Sequence, residues 1–348
     1  MDEKKMTRKS FLRLGGSLLA GGVIAGTSGS LLWKMIHEPD DVFFDAEGEG
    51  YKISDGDTSV SPYRKEASWP VDGEIEAFEL AGDRYVTASG GTLVVRDLQG
   101  REQAAFAVDE NVRDLALLAG ELYVLFPARI EVYDLQGRSL RGWDACSDES
   151  DYCSMTASPA GVYVTDAAAK NICHYRLDGT MVRFIDSPNG FVVPSYSFAI
   201  THADGILYCS NPGRHLIESY TEDGKFLAAF GTAGTAPGKF SGCCNPVQLT
   251  VSPAGELLAS EKGIPRISCW SKNGDFRSIL LNQKALGGGH DASEVRMLPD
   301  GRLLVAGRRA VSLYRYDSRL AQVAAGESIS AACALCGIDC PVKKGVTI

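Results

Sequence analysis

The stretch Leu115-Ala-Leu-Leu-Ala-Gly120-Glu-Leu-Tyr-Val-Leu125, continued by Arg129-Ile-Glu-Val-Tyr-Asp-Leu-Gln-Gly137, decides the fold. It reads as an apolar strand, a glycine turn, a second apolar strand and a third strand that closes on a polar-glycine turn. The strands alternate and are rich in β-branched and aromatic residues. Glycine at each turn suits hairpins that need a positive φ. The same unit precedes it, as Phe78-Glu-Leu-Ala-Gly82, Tyr85-Val86 and Leu93-Val-Val-Arg-Asp-Leu-Gln-Gly100. It follows again from Met155 to Gly179, Phe198 to Gly224, Leu249 to Gly274 and Val295 to Asp317. The first-turn glycines Gly82, Gly120, Gly161, Gly205, Gly255 and Gly301 are spaced by 38, 41, 44, 50 and 46 residues. Repeats of this length with about four strands each are propeller blades. Six copies predict an all-β, six-bladed β-propeller over residues 73–318; a solenoid would need capping ends and tighter spacing. The third-strand turns carry Gly100, Gly137, Gly179, Gly224 and Gly274, and the sixth glycine is missing near Asp317. The long segments from Arg138 to Tyr152 and from Lys225 to Cys244 are expected to be inter-blade loops on one face, where function concentrates.

The turn forms Ser158-Pro-Ala-Gly161, Ser252-Pro-Ala-Gly255 and Leu298-Pro-Asp-Gly301, with the closing Val132-Tyr-Asp-x-x-Gly137, resemble the NHL family of six-bladed propellers. The resemblance implies the fold and says little about function. Some NHL-like propellers are metal lyases with histidines lining the channel. Here His174, His202, His215 and His290 do not recur at innermost-strand starts, so that chemistry is not carried over.

Flanking segments complete the plan. Residues 1–36 combine a basic start with the apolar run Leu14 to Trp33, the outline of an export signal. Thr7-Arg8-Lys9-Ser10-Phe11-Leu12-Arg13 resembles the twin-arginine motif, with Lys9 in place of the second arginine. The apolar run would reach about 30 Å as a helix, enough to cross a bilayer and remain as an anchor if uncleaved. The expected location is therefore the periplasm or the outer face of the cytoplasmic membrane, with membrane contact through this segment. Residues 37–72 read as a tether and outer-strand segment, and 319–348 as a Cys-rich tail. The chain's formal net charge is −9, so it offers no basic excess for binding nucleic acid.

Ten cysteines carry most of the chemical information. Cys173, Cys209 and Cys269 align with Val or Ala positions in strands and are expected to be buried hydrophobes. Cys146 and Cys153 sit in the acidic stretch Asp144-Ala-Cys-Ser-Asp-Glu-Ser-Asp-Tyr-Cys153, and Cys243 and Cys244 in Ser241-Gly-Cys-Cys-Asn-Pro246. Both stretches lead to innermost strands and so are expected at one mouth of the channel. The tail reads Cys333-x2-Cys336-x3-Cys340-Pro341, which resembles the end of a bacterial ferredoxin motif with one Cys missing. Three readings stay open. Cys333, Cys336 and Cys340 hold an iron–sulfur cluster with a ligand from Cys243, Cys244, Cys153 or Cys146; or they hold zinc; or they form disulfides and no metal is bound.

No catalytic constellation stands out: there is no Ser-His-Asp order, phosphate loop or His-Glu-x-x-His motif. Arg266, in Glu261-Lys-Gly-Ile-Pro-Arg266, aligns with Arg129 and is expected to have a structural role. The leading expectation is an exported NHL-type binding protein with a protein partner in the cell envelope, carrying a thiolate-bound centre for electron transfer. The alternatives are a disulfide-stabilised scaffold and a hydrolase or lyase working at the propeller mouth.

Overall fold

The computed structural model describes residues 60–109, 111–242 and 244–324, together with two three-residue strands, Val42–Phe44 and Gly50–Lys52, that pair antiparallel as a unit of their own. Residues 1–41, which contain the export-like segment, and 325–348, which contain the Cys-rich tail, lie outside the described residues. Among the described residues no helix is long and apolar enough to cross a membrane.

Between residues 60 and 324 the described chain forms six four-stranded antiparallel sheets. Within each of the first five the chain runs from the innermost strand outward. The innermost strands are Ala77–Ala81, Asp114–Leu118, Tyr152–Ser158, Ile200–Ala203, Gln248–Val251 and Glu294–Met297, for blades 1 to 6. Each packs against the next, and the last against the first, so they ring a central channel. This is the six-bladed all-β propeller that the repeat predicts.

Blade 6 closes the ring. Its fourth strand is Tyr63–Pro70, from before blade 1, paired antiparallel with Ala310–Tyr316. Strands far apart in sequence are thereby joined by main-chain hydrogen bonds, and blades 1 and 6 are left without a free seam.

The closing-turn glycines have a packing reason as well as a conformational one. Gly137 has φ +87°, and a Cβ there would stand 2.5 Å from the Phe106 ring in the outermost strand of blade 1. Gly179 meets Trp143 of blade 2 in the same way, at 2.7 Å. Gly100, Gly224 and Gly274 likewise receive Trp69, Ile185 and Phe230 from the blade before. Each blade thus lays a large outer-strand side chain onto the bare turn of the next. Tyrosines of the second strands, Tyr85, Tyr123, Tyr163 and Tyr208, fill the seams and are almost wholly buried.

The segments expected to be inter-blade loops are only partly loops. Ser139–Asp144 and Phe226–Phe230 are the outermost strands of blades 2 and 4. Both are largely exposed: Ser139–Asp144 mixes exposed and half-buried residues, and Phe226–Phe230, although apolar throughout, is exposed at its three middle residues.

Candidate functional site

The channel is polar. A cavity of about 330 Å³ lies along the innermost strands, with Glu79, Asp114, Ser154, His202, Gln248 and Arg296 on its wall. Asp114 opens the innermost strand of blade 2 and is almost wholly buried. Its carboxylate accepts from Ser154 Oγ at 2.7 Å, from the Met155 amide at 2.8 Å and from its own neighbour Leu115 N at 2.8 Å. Ser154 Oγ also accepts from Ile200 N at 3.2 Å, so blades 2, 3 and 4 meet through one hydroxyl. Arg296, from blade 6, makes a forked pair with Glu79 of blade 1, Nε to Oε1 at 3.0 Å and Nη2 to Oε2 at 3.1 Å. Its remaining donors reach Phe78 O and Val295 O, and Glu294 Oε2 lies 3.8 Å from Nη2.

Two carboxyls, Glu79 and Glu294, therefore share one guanidinium, and Asp114 lies within range of its charge. Burial pushes the Glu294 carboxyl up, partly offset by Arg296, and pushes Asp114 up against its hydrogen bonds from Ser154 and Met155. Burial alone would lower the Arg296 pKa, but Glu79 and Glu294 raise it well above the ordinary arginine value. Further along, His202 Nε2 stands 2.9 Å from Glu222 Oε1, which also accepts from Ser158 Oγ.

At the strand starts the channel opens into two further cavities of about 410 and 420 Å³ that share Glu76, Val247 and Gln248 on their walls. Cys153, Arg113, Ser197 and Tyr196 line the first, and Glu74, Asp291, Glu294 and Arg308 the second. Arg308 is paired with Glu74, and Arg113 lies 3.5 Å from Asp151. Tyr196 is 62% exposed, and both Ser195 and Tyr196 have left-handed backbone, with φ of 61° and 55°. Such a conformation costs about 1–3 kcal/mol for each non-glycine residue. Lys262 braces the segment, its Nζ lying 3.4 Å from Ser195 Oγ and from Ser197 Oγ.

Three cysteines fall as the sequence reading expects, and others do not. Cys173, Cys209 and Cys269 are buried strand residues. Cys153 is not in a loop but inside the innermost strand of blade 3. It lines the mouth, yet its thiol is held protonated: burial, then the Asp151 charge, push its pKa up to about 12. Cys146 is exposed and faces Cys173, with the two sulfurs 3.7 Å apart. Cys244 is buried ahead of blade 5. Cys243, Cys333, Cys336 and Cys340 lie outside the described residues. Among the described residues no three His, Cys, Asp or Glu side chains come together as metal ligands would. Arg266 is structural: it is buried against Glu261 and donates to the carbonyls of Thr235 and Lys239.

The sequence reading missed the channel cluster. The available signal was an acid at the first position of an innermost strand, present twice, as Asp114 and as Glu294, the second followed two residues later by Arg296.

No protein-family profile matches the sequence, and no curated protein matches it. Solved structures do resemble it. Virginiamycin B lyase from Staphylococcus aureus shares 14% identity, with 72% of this chain and 99% of that chain covered and a TM-score of 0.51. A streptogramin B lyase shares 13% identity over 73% of this chain and 98% of its own, with a TM-score of 0.52. A protein of unknown function from Bacteroides thetaiotaomicron shares 8% identity over 73% and 74%, with a TM-score of 0.57. At these identities the likeness shows the fold alone: the chain is a six-bladed propeller of the architecture seen in those lyases.

Proposed function

We propose that this is an exported propeller that binds a protein partner in the cell envelope at the mouth formed by its strand starts. The observation that carries the reading is Tyr196. It is a large aromatic held in a costly backbone conformation, exposed beside two open cavities and braced by Lys262. Strain kept at a cavity rim is a mark of recognition or chemistry rather than of folding, and exposed tyrosines are frequent anchors of protein contacts. The acids Glu76 and Asp291 around the same mouth favour a basic segment on the partner. Export is supported by the residues of the 1–36 segment alone.

A photoreactive side chain placed at position 196 is expected to give an adduct in the envelope fraction of intact cells. The same group at Val182, exposed on the outermost strand of blade 3, is expected to give none. Tyr196→Ala should weaken binding to the captured partner by about tenfold or more. Equal labelling from both positions, or adducts confined to the cytoplasm, would sink the reading.

A lyase or hydrolase reading has its own observation, the raised carboxyls of the channel and His202 beside Glu222. Turnover of virginiamycin B, lost in His202→Ala, would replace the binding reading.

The spacing of Cys333, Cys336 and Cys340 supports a separate thiolate centre in the tail, for zinc or an iron–sulfur cluster. Full-length protein made anaerobically is expected to carry metal that a triple Cys→Ser variant of those positions lacks. Equal metal content in the two would leave the tail as a disulfide or unbound segment.

A further inference from the structure

Cys146 and Cys173 belong to different parts of the repeat. Cys146 lies in the connection between the outermost strand of blade 2, which ends at Asp144, and the innermost strand of blade 3, which starts at Tyr152. Cys173 is at the centre of the third strand of blade 3, Asn171–Tyr175, and is wholly buried. Their sulfurs stand 3.7 Å apart. Two buried tyrosines hold the arrangement. Tyr152 OH accepts from the Cys146 amide at 3.3 Å and donates to its sulfur at 3.8 Å. Tyr152 and Tyr175 are in turn hydrogen-bonded through their hydroxyls. Cys173 packs with both rings in the seam between blades 2 and 3, where Val132 and Val162 also lie.

The two thiols differ in access, which sets which of them meets the oxidant first. Cys146 is open to solvent, while Cys173 is wholly buried. Burial, then the neighbouring Cys146, also push the Cys173 thiol well above its ordinary value, so it rests as the thiol.

We propose that Cys146 and Cys173 are a dithiol pair that oxidises to a disulfide, fastening the blade 2–3 connection to the third strand of blade 3. The oxidant is a protein or small-molecule disulfide, the class that maintains disulfides outside the cytoplasm. The Cys146 thiolate attacks one sulfur of that disulfide; the oxidant's S–S bond breaks and its other half leaves as a thiolate. Cys173, losing its proton, then attacks the Cys146 sulfur of the mixed disulfide and releases the second half. Two electrons pass to the oxidant, and the two thiol protons end on its two released sulfurs.

The position of the bond explains what it does. Cys146 lies five residues ahead of Asp151, whose carboxylate faces Arg113 on the mouth. The bond would therefore fix the loop beside the mouth as well as the seam between two blades. The inference stands on these two sulfurs and, for its oxidant, on the export reading; it does not depend on partner binding or on the tail.

Full-length protein treated with oxidised glutathione, quenched by alkylation and digested without reduction should yield one linked peptide pair, Cys146 to Cys173, lighter by two hydrogens. Cys146 should become resistant to alkylation, and reduction should lower the melting temperature by roughly 5 °C. Cys146→Ser, a change at an exposed side chain, should keep the fold and abolish that redox-dependent shift. Cys173→Ala should trap glutathione on Cys146. Cys146 that stays alkylatable after oxidation overturns the proposal, and so does a link from Cys146 to Cys153, Cys333, Cys336 or Cys340.

Discussion

Replacing Arg296 with Met should cost about 3–5 kcal/mol at neutral pH, the usual penalty for leaving buried charges without their partner. For a domain of this size that is a fall in melting temperature of roughly 10 °C. The size of the effect follows from the inner cavity. Its wall, among the described residues, has no Lys and no Arg other than Arg296. Glu79, Asp114 and Glu294 all depend on that one guanidinium. The pH dependence gives the prediction its discriminating form. A carboxyl whose folded pKa is raised holds its proton in the folded chain over a pH range where the unfolded chain has already lost it. Stability therefore falls as pH rises through that range. For the wild type the window runs from the ordinary carboxylate values up to about 8, where burial places Glu294. Without Arg296 the Asp114 and Glu294 carboxyls rise further, so the deficit should be largest at pH 8 and smallest near pH 5, where protonation relieves the repulsion. Glu294→Gln, which cannot ionise, should flatten the wild-type profile and raise stability at pH 8. Thermal unfolding of the three proteins at pH 5 and pH 8 tests this. A deficit for Arg296→Met that is equal at both values would show that the channel carboxyls are not what Arg296 holds.

The repeat made the architecture legible because each blade solves the same local problem with the same residues. A glycine that must bend backward and also make room for the preceding blade's ring cannot drift, so Gly100, Gly137, Gly179, Gly224 and Gly274 stand out in the chain. The missing sixth glycine follows from the ring closure. The third strand of blade 6 ends at Tyr316 and never turns back into a fourth, because Tyr63–Pro70 already occupies that place. A hairpin that is not made needs no glycine. The outermost strands were illegible for the opposite reason. Ser139–Asp144 presents alternating exposed and half-buried residues with a glycine inside it, and resembles loop sequence. The channel cluster escaped because its parts come from blades 1, 2 and 6, and each looks like an ordinary polar residue in its own strand. Cys173 was legible as buried from its strand position. Its contact with Cys146 was not, since a repeat alignment compares equivalent positions and says nothing about which side chains meet across a seam. The N-terminal and tail motifs, by contrast, are signals of sequence alone and lie outside the described residues.

Arg266→Ala should be as costly as the channel substitution, about 3–5 kcal/mol, yet should differ in what recovers it. Arg266 and Glu261 have side chains only 3% and 1% exposed, and they pair in a fork, Nε to Oε1 at 2.6 Å and Nη2 to Oε2 at 3.1 Å. Glu261 also accepts from the amide and hydroxyl of Ser241, at 3.0 and 3.3 Å. Arg266 sends its other hydrogen bonds to Thr235 O at 2.7 Å, to Lys239 O and, more weakly, to Ala236 O at 3.4 Å. One buried pair thereby ties the connection between blades 4 and 5 to blade 5. Asn245 adds to it, donating to Ser241 O at 2.6 Å and Lys262 O at 2.8 Å. Lys262, next to Glu261, is the side chain that reaches Ser195 and Ser197 at the mouth. Arg266→Lys should not restore stability, because an ammonium cannot supply the planar fork that serves a carboxylate and two carbonyls together. The double change Arg266→Met with Glu261→Leu removes both charges and should regain most of the melting temperature, as apolar replacements of buried ion pairs often do. It cannot restore the bonds to Thr235 and Lys239, so the 231–242 connection should still be cut by protease much faster than in the wild type. Binding at the mouth should stay weakened for the same reason. If the double variant recovers both stability and protease resistance, the pair serves only packing, and the link from Arg266 through Lys262 to the mouth fails.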